Sequence, residues 1–215
     1  VVALLHRVAA DITPVSGGVA SVRAVGAGEY AVSLPITSPS DAGRVTAVLT
    51  RHVWYAARRR GLHLDDAEYE FPHHPTPDQL RRAGSTLGVS AEAAEELAGK
   101  TRLLDFAEGE TIQHIGAVPP DLLVILSGSV SLVATSPGGD ELQLATLGTN
   151  DYLGLTTLTR QPVVSTAVAN APTTVIAIPR SVTEEMVRHR PALARQLGDA
   201  IEERRNAART AFDPV

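Results

Sequence analysis

The chain lacks cysteine entirely and has one methionine, Met186, among its 215 residues. Without cysteine it can form neither disulfides nor thiolate ligands, which is compatible with a reducing compartment. No apolar run approaches the roughly 18 residues of a membrane-spanning helix, and no secretory leader opens the sequence. Because the sequence begins with Val1 rather than methionine, we expect a longer protein whose upstream part could hold a membrane segment.

An excess of positive charge is also missing, since 19 Lys and Arg residues stand against 24 Asp and Glu residues and the net charge is −5. Nucleic-acid binders usually present a basic surface, so we expect no nucleic-acid partner. The sequence holds no Ser/His/Asp grouping, paired-carboxylate spacing or Walker-type loop, and we therefore predict that the protein is not an enzyme. Its length and its 44% hydrophobic fraction fit one large or two small globular domains.

The adjacent histidines His73 and His74, close to His63 and two aspartates, raise the question of a metal site. Side chains of neighbouring residues in an extended chain point to opposite sides, and no histidine pair has the i, i+4 spacing of helical metal ligands. We therefore predict no metal here. Closely spaced prolines instead indicate a linker over residues 73–88, with a short helix over 78–83 inside it.

The N-terminal part of the chain, residues 1–72, has the order helix, strand, strand, helix, strand. Apolar residues at helical spacing define the helices, and the two central strands are joined by a glycine-containing turn as a hairpin. The expected helices span 1–11 and 42–60, and the expected strands span 19–25, 30–36 and 68–71. This order predicts a small ferredoxin-like α/β sandwich domain within an α+β protein.

The second domain is predicted over 89–215 and is dominated by short strands between residues 104 and 169. Leu122–Leu126 is a short apolar run. After it, Val130, Leu132 and Ala134 alternate with Ser129, Ser131 and Val133, which is the two-residue period of a half-buried strand. A tight turn is expected at Pro137–Asp140. Short strands separated by such turns predict a small antiparallel β-roll.

Helices are expected on both sides of this roll. Ser90 is a suitable cap for a helix that precedes the strands. Two further helices, over 181–189 and 191–211, are expected to close the chain. The last helix has an apolar stripe that ends at Ile201, and the charged segment Glu202–Arg205 is expected to lie in solvent.

Three motifs in this domain resemble the cyclic-nucleotide-binding domain. They are Phe106–Ile112, Leu122–Val130 and Gly148–Gly154, and they follow the order of that family. The resemblance implies a β jelly roll flanked by helices, with the nucleotide phosphate held in a cassette that follows a strand ending near Asp151. In that family a cassette glutamate accepts a hydrogen bond from the ribose hydroxyl, and a cassette arginine pairs with the phosphate.

Both charged positions of the cassette differ in this chain. Gly154 matches the family, but Leu155 takes the glutamate position, and Val163 or Val164 takes the arginine position. Losing a buried ion pair to an anionic ligand costs on the order of 2–5 kcal/mol. The candidate ligand-binding residues are Gly154, Leu155, Thr156, Thr157, Arg160, Val163, Val164, Ser165 and Thr166.

Three hypotheses for the cassette stay open. In the first, no cyclic nucleotide binds and the roll is a structural or interaction module. In the second, cyclic AMP or cyclic GMP still binds through the amides of residues 154–157, the threonine hydroxyls and Arg160 as a displaced cation. In the third, Leu155, Val163 and Val164 line a pocket for a less charged ligand. No cofactor is therefore assigned.

A second resemblance concerns the first domain. The strand Tyr30–Ile36 and the helix end Val53–Gly61 resemble the cytosolic α/β domain of small-conductance mechanosensitive (MscS-type) channels. With a cyclic-nucleotide-type roll downstream, this resemblance implies the cytosolic regulatory region of a mechanosensitive ion channel. It further implies a membrane pore upstream of Val1, a homo-oligomeric ring that is a heptamer, and a location on the cytoplasmic side of the cell membrane.

Two alternatives to the channel stay open. One is a cyclic-nucleotide- or small-ligand-responsive regulator of the catabolite-activator type, which shares the roll. The ten residues after Arg205 leave no room for a helix-turn-helix, which argues against it. The other is a free-standing adaptor protein.

Overall fold

The computed structural model describes residues 1–12, 18–64, 72–135 and 141–212. The chain divides into two compact units, Val1–Phe71 and Pro72–Val215. Each unit buries hydrophobic clusters of its own. The two units are therefore separate structural domains.

The first unit contains a hairpin and two α-helices among its described residues, with a short 3-10 helix at Pro39–Asp41 before the second. Helix α1 spans Val2–Ile12, strands β1 and β2 span Ser21–Gly26 and Glu29–Ser33, and helix α2 spans Ala42–Arg58. The strands pair antiparallel across a turn at Gly28, whose φ of 78° is left-handed. The two helices bury their apolar faces together, through Leu4, Leu5, Val8, Ala56 and Ala57.

The ferredoxin-like sandwich predicted for this unit is not confirmed. The strand expected over 68–71 lies outside the described residues. Within the described part, β1 and β2 form a two-stranded sheet. Two strands with two helices agree with the predicted element order up to α2, but a sandwich of the ferredoxin type requires a larger sheet.

Within the region predicted as a linker over 73–88, the short helix expected over 78–83 is present and is longer than expected. Helix α3 spans Pro77–Leu87. Its start is fixed by reciprocal hydrogen bonds between Thr76 and Gln79, since Gln79 N–H donates to Thr76 Oγ1 at 3.2 Å and Thr76 N–H donates to Gln79 Oε1 at 2.8 Å. Pro77 occupies the first helical position, where the missing N–H has no helical partner to lose. Leu80 is completely buried, so α3 belongs to the core.

The second unit is a β jelly roll with flanking helices, as predicted. Its strands form two four-stranded antiparallel sheets, with the orders β3-β10-β5-β8 and β4-β9-β6-β7. The turn predicted at Pro137–Asp140 lies outside the described residues. The strands are β3 Arg102–Phe106, β4 Thr111–Gln113, β5 Asp121–Ser127, β6 Val130–Thr135, β7 Glu141–Leu147, β8 Tyr152–Leu153, β9 Thr166–Ala169 and β10 Thr173–Pro179.

In the described part of this unit, four α-helices flank the roll. Besides α3, they are α4 Ala91–Ala98, α5 Arg180–His189 and α6 Pro191–Phe212. These helices pack on the outer face of the first sheet around Leu122, Val124, Ile176 and Ile178, while a second cluster fills the space between the sheets. Among the described residues, no helix has both the length and the hydropathy that crossing a bilayer requires.

Candidate ligand-binding site

The cassette of this protein, residues 152–167, begins at strand β8 and ends in β9. Gly154 follows β8 in a left-handed conformation, with a φ of 65°, and Leu155–Thr157 form a short 3-10 helix. A Cβ on Gly154 would lie 2.2 Å from the carbonyl oxygen of Asp121, so only glycine lets β8 approach β5 this closely. The backbone frame of a cyclic-nucleotide-type cassette is therefore present.

Helix α6 lies against the cassette and completes a cleft, here called the cassette cleft. It has about 360 Å³ of empty volume, including space open to solvent. The residues that line it are Gln113, Gly154, Leu155, Thr156, Pro162, Val163, Val164, Ser165, Ile201, Arg204 and Arg205. Six of the nine candidates from the sequence are in this set, and Thr157, Arg160 and Thr166 are not.

Leu155, at the glutamate position, and Val163, one of the two candidates for the arginine position, form apolar walls of the cleft. Leu155 is 4% exposed and Val163 is 8% exposed. Leu155 belongs to the hydrophobic cluster that also contains Tyr152 and, at its edge, Ile201. Val163 is held by backbone hydrogen bonds with Ala117 and Gly116. The wall at these positions offers neither an acceptor for a ribose hydroxyl nor a cation for a phosphate.

The hydroxyl groups of the cassette are used in different ways. Thr157 donates its hydroxyl to the carbonyl of Pro120 at 3.1 Å, and Thr166 accepts a hydrogen bond from the Ile115 N–H at 3.2 Å. Both therefore hold the loop between β4 and β5. The hydroxyl of Thr156 is buried, and it has no hydrogen-bond partner within the described part of the chain.

Gln113 was not among the residues predicted from sequence, yet it organises one wall of the cleft. Its Oε1 accepts a hydrogen bond from the Gly154 N–H at 3.0 Å, and its Nε2 donates to the Ser165 carbonyl at 3.4 Å. Gln113 thereby bridges the two ends of the cassette, from Gly154 to Ser165. No local pattern in the sequence indicates this contact, because Gln113 lies on β4, far from the cassette along the chain.

Arg160, considered above as a displaced cation, does not line the cleft. Its side chain is exposed, and its φ of 54° lies in the left-handed region. A non-glycine residue in this conformation is uncommon and marks a tight turn of the cassette loop. The structure therefore places the Arg160 charge at the protein surface.

The cations of the cleft come instead from α6. Arg204 donates a hydrogen bond to the carbonyl of Tyr152, and Arg205 donates to Gln161 Oε1 and lies 3.5 Å from Glu202. Burial lowers the pKa of Arg204 to about 10, against the attraction of Asp151 and Glu203, so the guanidinium stays charged at neutral pH. The expectation that Glu202–Arg205 lies entirely in solvent is thus corrected for the two arginines, which are half-buried.

The comparisons with known proteins agree with this fold. Residues 103–190 match the family model described as the cyclic nucleotide-binding domain. The chain is 29% identical over 119 residues to the CRP-like cAMP-activated global transcriptional regulator of Mycobacterium tuberculosis, a match that covers 55% of this chain and 53% of the relative. The chain thus spans about half the length of the curated relatives it matches.

Solved structures show the same roll. The catabolite activator protein of Thermus thermophilus superposes with a TM-score of 0.50 and 26% identity, over 59% of this chain and 61% of that one. The regulatory domain of the Toxoplasma gondii protein kinase PKA, solved with cAMP, superposes with a TM-score of 0.52 and 18% identity, over 60% of this chain and 49% of that one. The second similarity concerns the fold alone.

These findings overturn the channel hypothesis. The curated relatives and the Thermus structure carry the names of transcriptional regulators and a catabolite activator, so the regulator alternative fits better than a mechanosensitive channel region. The expectations of a heptameric ring, of a membrane partner and of no nucleic-acid partner are wrong for the same reason. The ring and membrane expectations depended on a short segment of the first unit, and the nucleic-acid expectation depended on net charge. Neither observation outweighs the match to the mycobacterial regulator, which covers more than half of the chain. The likeness of Tyr30–Ile36 and Val53–Gly61 to the channel domain stays a prediction from sequence.

Proposed function

We propose that this chain contains the ligand-sensing part of a regulator of the catabolite-activator type, which binds a small ligand in the cassette cleft and controls transcription. The observation that carries the proposal is the construction of the cleft, because the cassette and helix α6 both line it. A ligand in the cleft would contact both elements and favour the arrangement that binds it better. Binding is thereby coupled to the position of α6.

The output of this regulator is proposed from its relatives. The match to the mycobacterial transcriptional regulator supports a role in transcription, with DNA as the partner. In this proposal the protein acts by binding and not by catalysis. Its net charge of −5 requires that any contact with DNA be made by a locally basic surface of the protein.

The transcriptional role predicts that the protein occupies discrete chromosomal sites. We expect chromatin immunoprecipitation of the epitope-tagged protein, made from its own gene in its native host, to enrich sites upstream of transcription units. The matched control is the untagged strain treated identically. Enrichment no greater than in that control contradicts a role in transcription.

A further inference from the structure

The charge of the cassette cleft does not come from the cassette. Among the lining residues, Arg204 and Arg205 are the ionisable ones, and the others are apolar or neutral. The acids around these arginines, Asp151, Glu202 and Glu203, do not line the cleft. Within the described residues, the cleft therefore presents positive charge to an occupant, which favours an anion.

A second, independent observation comes from Thr156. Its side chain is 7% exposed, it lines the cleft, and its Oγ1 has no hydrogen-bond partner within the part of the chain that the structure describes. A buried hydroxyl without a partner is destabilising, because it has lost its hydrogen bonds to water and gained none in the protein. The hydroxyl oxygen is closed to solvent, so an anionic oxygen in the cleft would accept its hydrogen bond once the Thr156 side chain turns towards the cleft.

The guanidinium of Arg204 has donors to spare for such an anion. Arginine carries five N–H donors in a planar fork that suits carboxylate and phosphate oxygens. In the described residues, its one hydrogen bond is donated to the Tyr152 carbonyl. Partial burial weakens the competition from water and strengthens an ion pair at this position.

We infer that the cassette cleft binds a small organic monoanion with an apolar body, whose charged head is held by Arg204 of helix α6 and the hydroxyl of Thr156. The apolar body follows from Leu155, Val163 and Val164, which supply no acceptor for a ribose hydroxyl. The head is a carboxylate or a phosphodiester, which share the same charge and oxygen geometry. The inference depends on the proposed function, because that function makes the cassette cleft the ligand site.

This arrangement has a consequence for signalling. When the cation that binds the anion belongs to the cassette, the ion pair lies within the cassette and does not involve α6. Here the cation belongs to α6, so the anion links α6 directly to the cassette. Loss of the anion removes that link. Helix α6 is then held by its apolar contacts and by the hydrogen bonds from Arg204 to the Tyr152 carbonyl and from Arg205 to Gln161.

The test is calorimetric titration of the full chain with four probes: cyclic AMP, 2′-deoxy cyclic AMP, octanoate and its neutral isostere octanamide. We expect a dissociation constant below about 1 mM for cyclic AMP, octanoate or both, which identifies the head as phosphodiester or carboxylate. Octanamide should bind at least about tenfold more weakly than octanoate wherever octanoate binds. The two cyclic nucleotides should bind with equal affinity, because no acceptor awaits the 2′-hydroxyl.

Two variants separate ligand binding from a structural role. Arg204→Gln should weaken binding of the successful probe by about 30-fold or more, whereas Arg195→Gln, an exposed arginine of the same helix, should leave it unchanged. Thr156→Val should weaken binding and yet raise the melting temperature, because it removes an unpartnered buried hydroxyl. If Thr156 had a purely structural role, its replacement would not lower the affinity for the probe while raising the melting temperature of the protein.

Several results would overturn the inference. One is the absence of binding by both cyclic AMP and octanoate, and another is equal binding of octanoate and octanamide. A loss of more than about tenfold for the 2′-deoxy nucleotide would reveal a ribose acceptor and contradict the apolar body. Unchanged affinity in Arg204→Gln would also overturn the inference. If that variant fails to fold, unchanged affinity in Thr156→Val has the same meaning. The chromatin experiment is independent of these titrations, so a failure of this inference is distinguishable from a failure of the proposed function.

Discussion

Leu155 and Val163 show how single positions have changed the chemistry of the cassette. Leu155 occupies the position of the glutamate in the related pattern, and Val163 is one of the two residues that match its arginine. Both side chains are almost fully buried. Leu155 contributes to the core beneath the cassette, so its replacement by a charged residue would disturb packing as well as ligand contacts. The cationic side chains that line the cleft are Arg204 and Arg205 of α6, and Arg204 also contacts the cassette backbone at Tyr152.

Gly154 is the residue on which the cassette geometry depends most directly. Substitution Gly154→Ala would place a Cβ 2.2 Å from the Asp121 carbonyl oxygen, in a backbone conformation with a φ of 65°. We expect the free energy of unfolding to fall by about 2 kcal/mol or more, from left-handed strain together with the steric clash. Urea denaturation of the chain measures this loss.

The matched control is Gly198→Ala on helix α6. A Cβ at Gly198 meets no atom within 4 Å, and the residue lies in a helix interior. Alanine should therefore raise the free energy of unfolding by about 0.5–1 kcal/mol. If both substitutions shifted the urea midpoint in the same direction, the close approach of Gly154 to β5 would not be a determinant of stability.

At the scale of elements, helix α3 shows that proline content alone does not define a linker. The prolines of this region precede the helix or occupy its first position, and the helix behind them buries Leu80, Ala83 and Leu87. Proline is unfavourable in a helix interior but is tolerated in the first turn. The sequence Thr76-Pro77-Asp78-Gln79 is in fact a helix-start pattern, with a capping threonine followed by glutamine at the third helical position.

The capping pair of α3 makes a prediction for stability. Thr76→Ala removes the hydroxyl that accepts a hydrogen bond from the Gln79 N–H. We expect the free energy of unfolding to fall by about 1 kcal/mol, measured by chemical denaturation. Thr210→Ala, an exposed threonine near the end of α6, should change it by less than about 0.5 kcal/mol. Equal effects of the two substitutions would argue against a capping role for Thr76.

Helix α6 is the element that joins packing to ligand chemistry. Its apolar stripe through Leu193, Leu197 and Ile201 continues, at the same spacing, into Arg204 and Arg205. Residues three and four positions after Ile201 lie on the same face of a helix. The two arginines therefore lie on the face of α6 that packs towards the cassette. Judged by their charge alone, they would be expected to lie in solvent.

At the scale of the whole molecule, the second unit has a complete core. Its two sheets pair strands that are distant in sequence, such as β3 with β10, and its helices close the outer face. All residues that line the cassette cleft belong to this unit. The ligand site is therefore contained within one domain.

This containment predicts that residues 72–215 form an autonomous domain. We expect the fragment to unfold cooperatively and to bind the successful anionic probe within about threefold of the affinity of the full chain, since every lining residue is retained. Circular dichroism melting and calorimetric titration check the two expectations. An unfolded fragment, or one without affinity, would show that the first unit contributes to the fold or the site of the second.

By itself, the sequence determined the jelly roll and its flanking helices, because alternation, helical spacing and glycine turns are encoded within short segments of chain. It also showed that the cassette had lost its charges at Leu155 and Val163 or Val164. Only the tertiary structure decided where the replacement cation lies. Arg204 is some fifty residues from Leu155 along the chain, and it reaches the cleft because burial of α6 against the roll carries it there. Local patterns describe which face of a helix is apolar, but they do not describe what that face will contact.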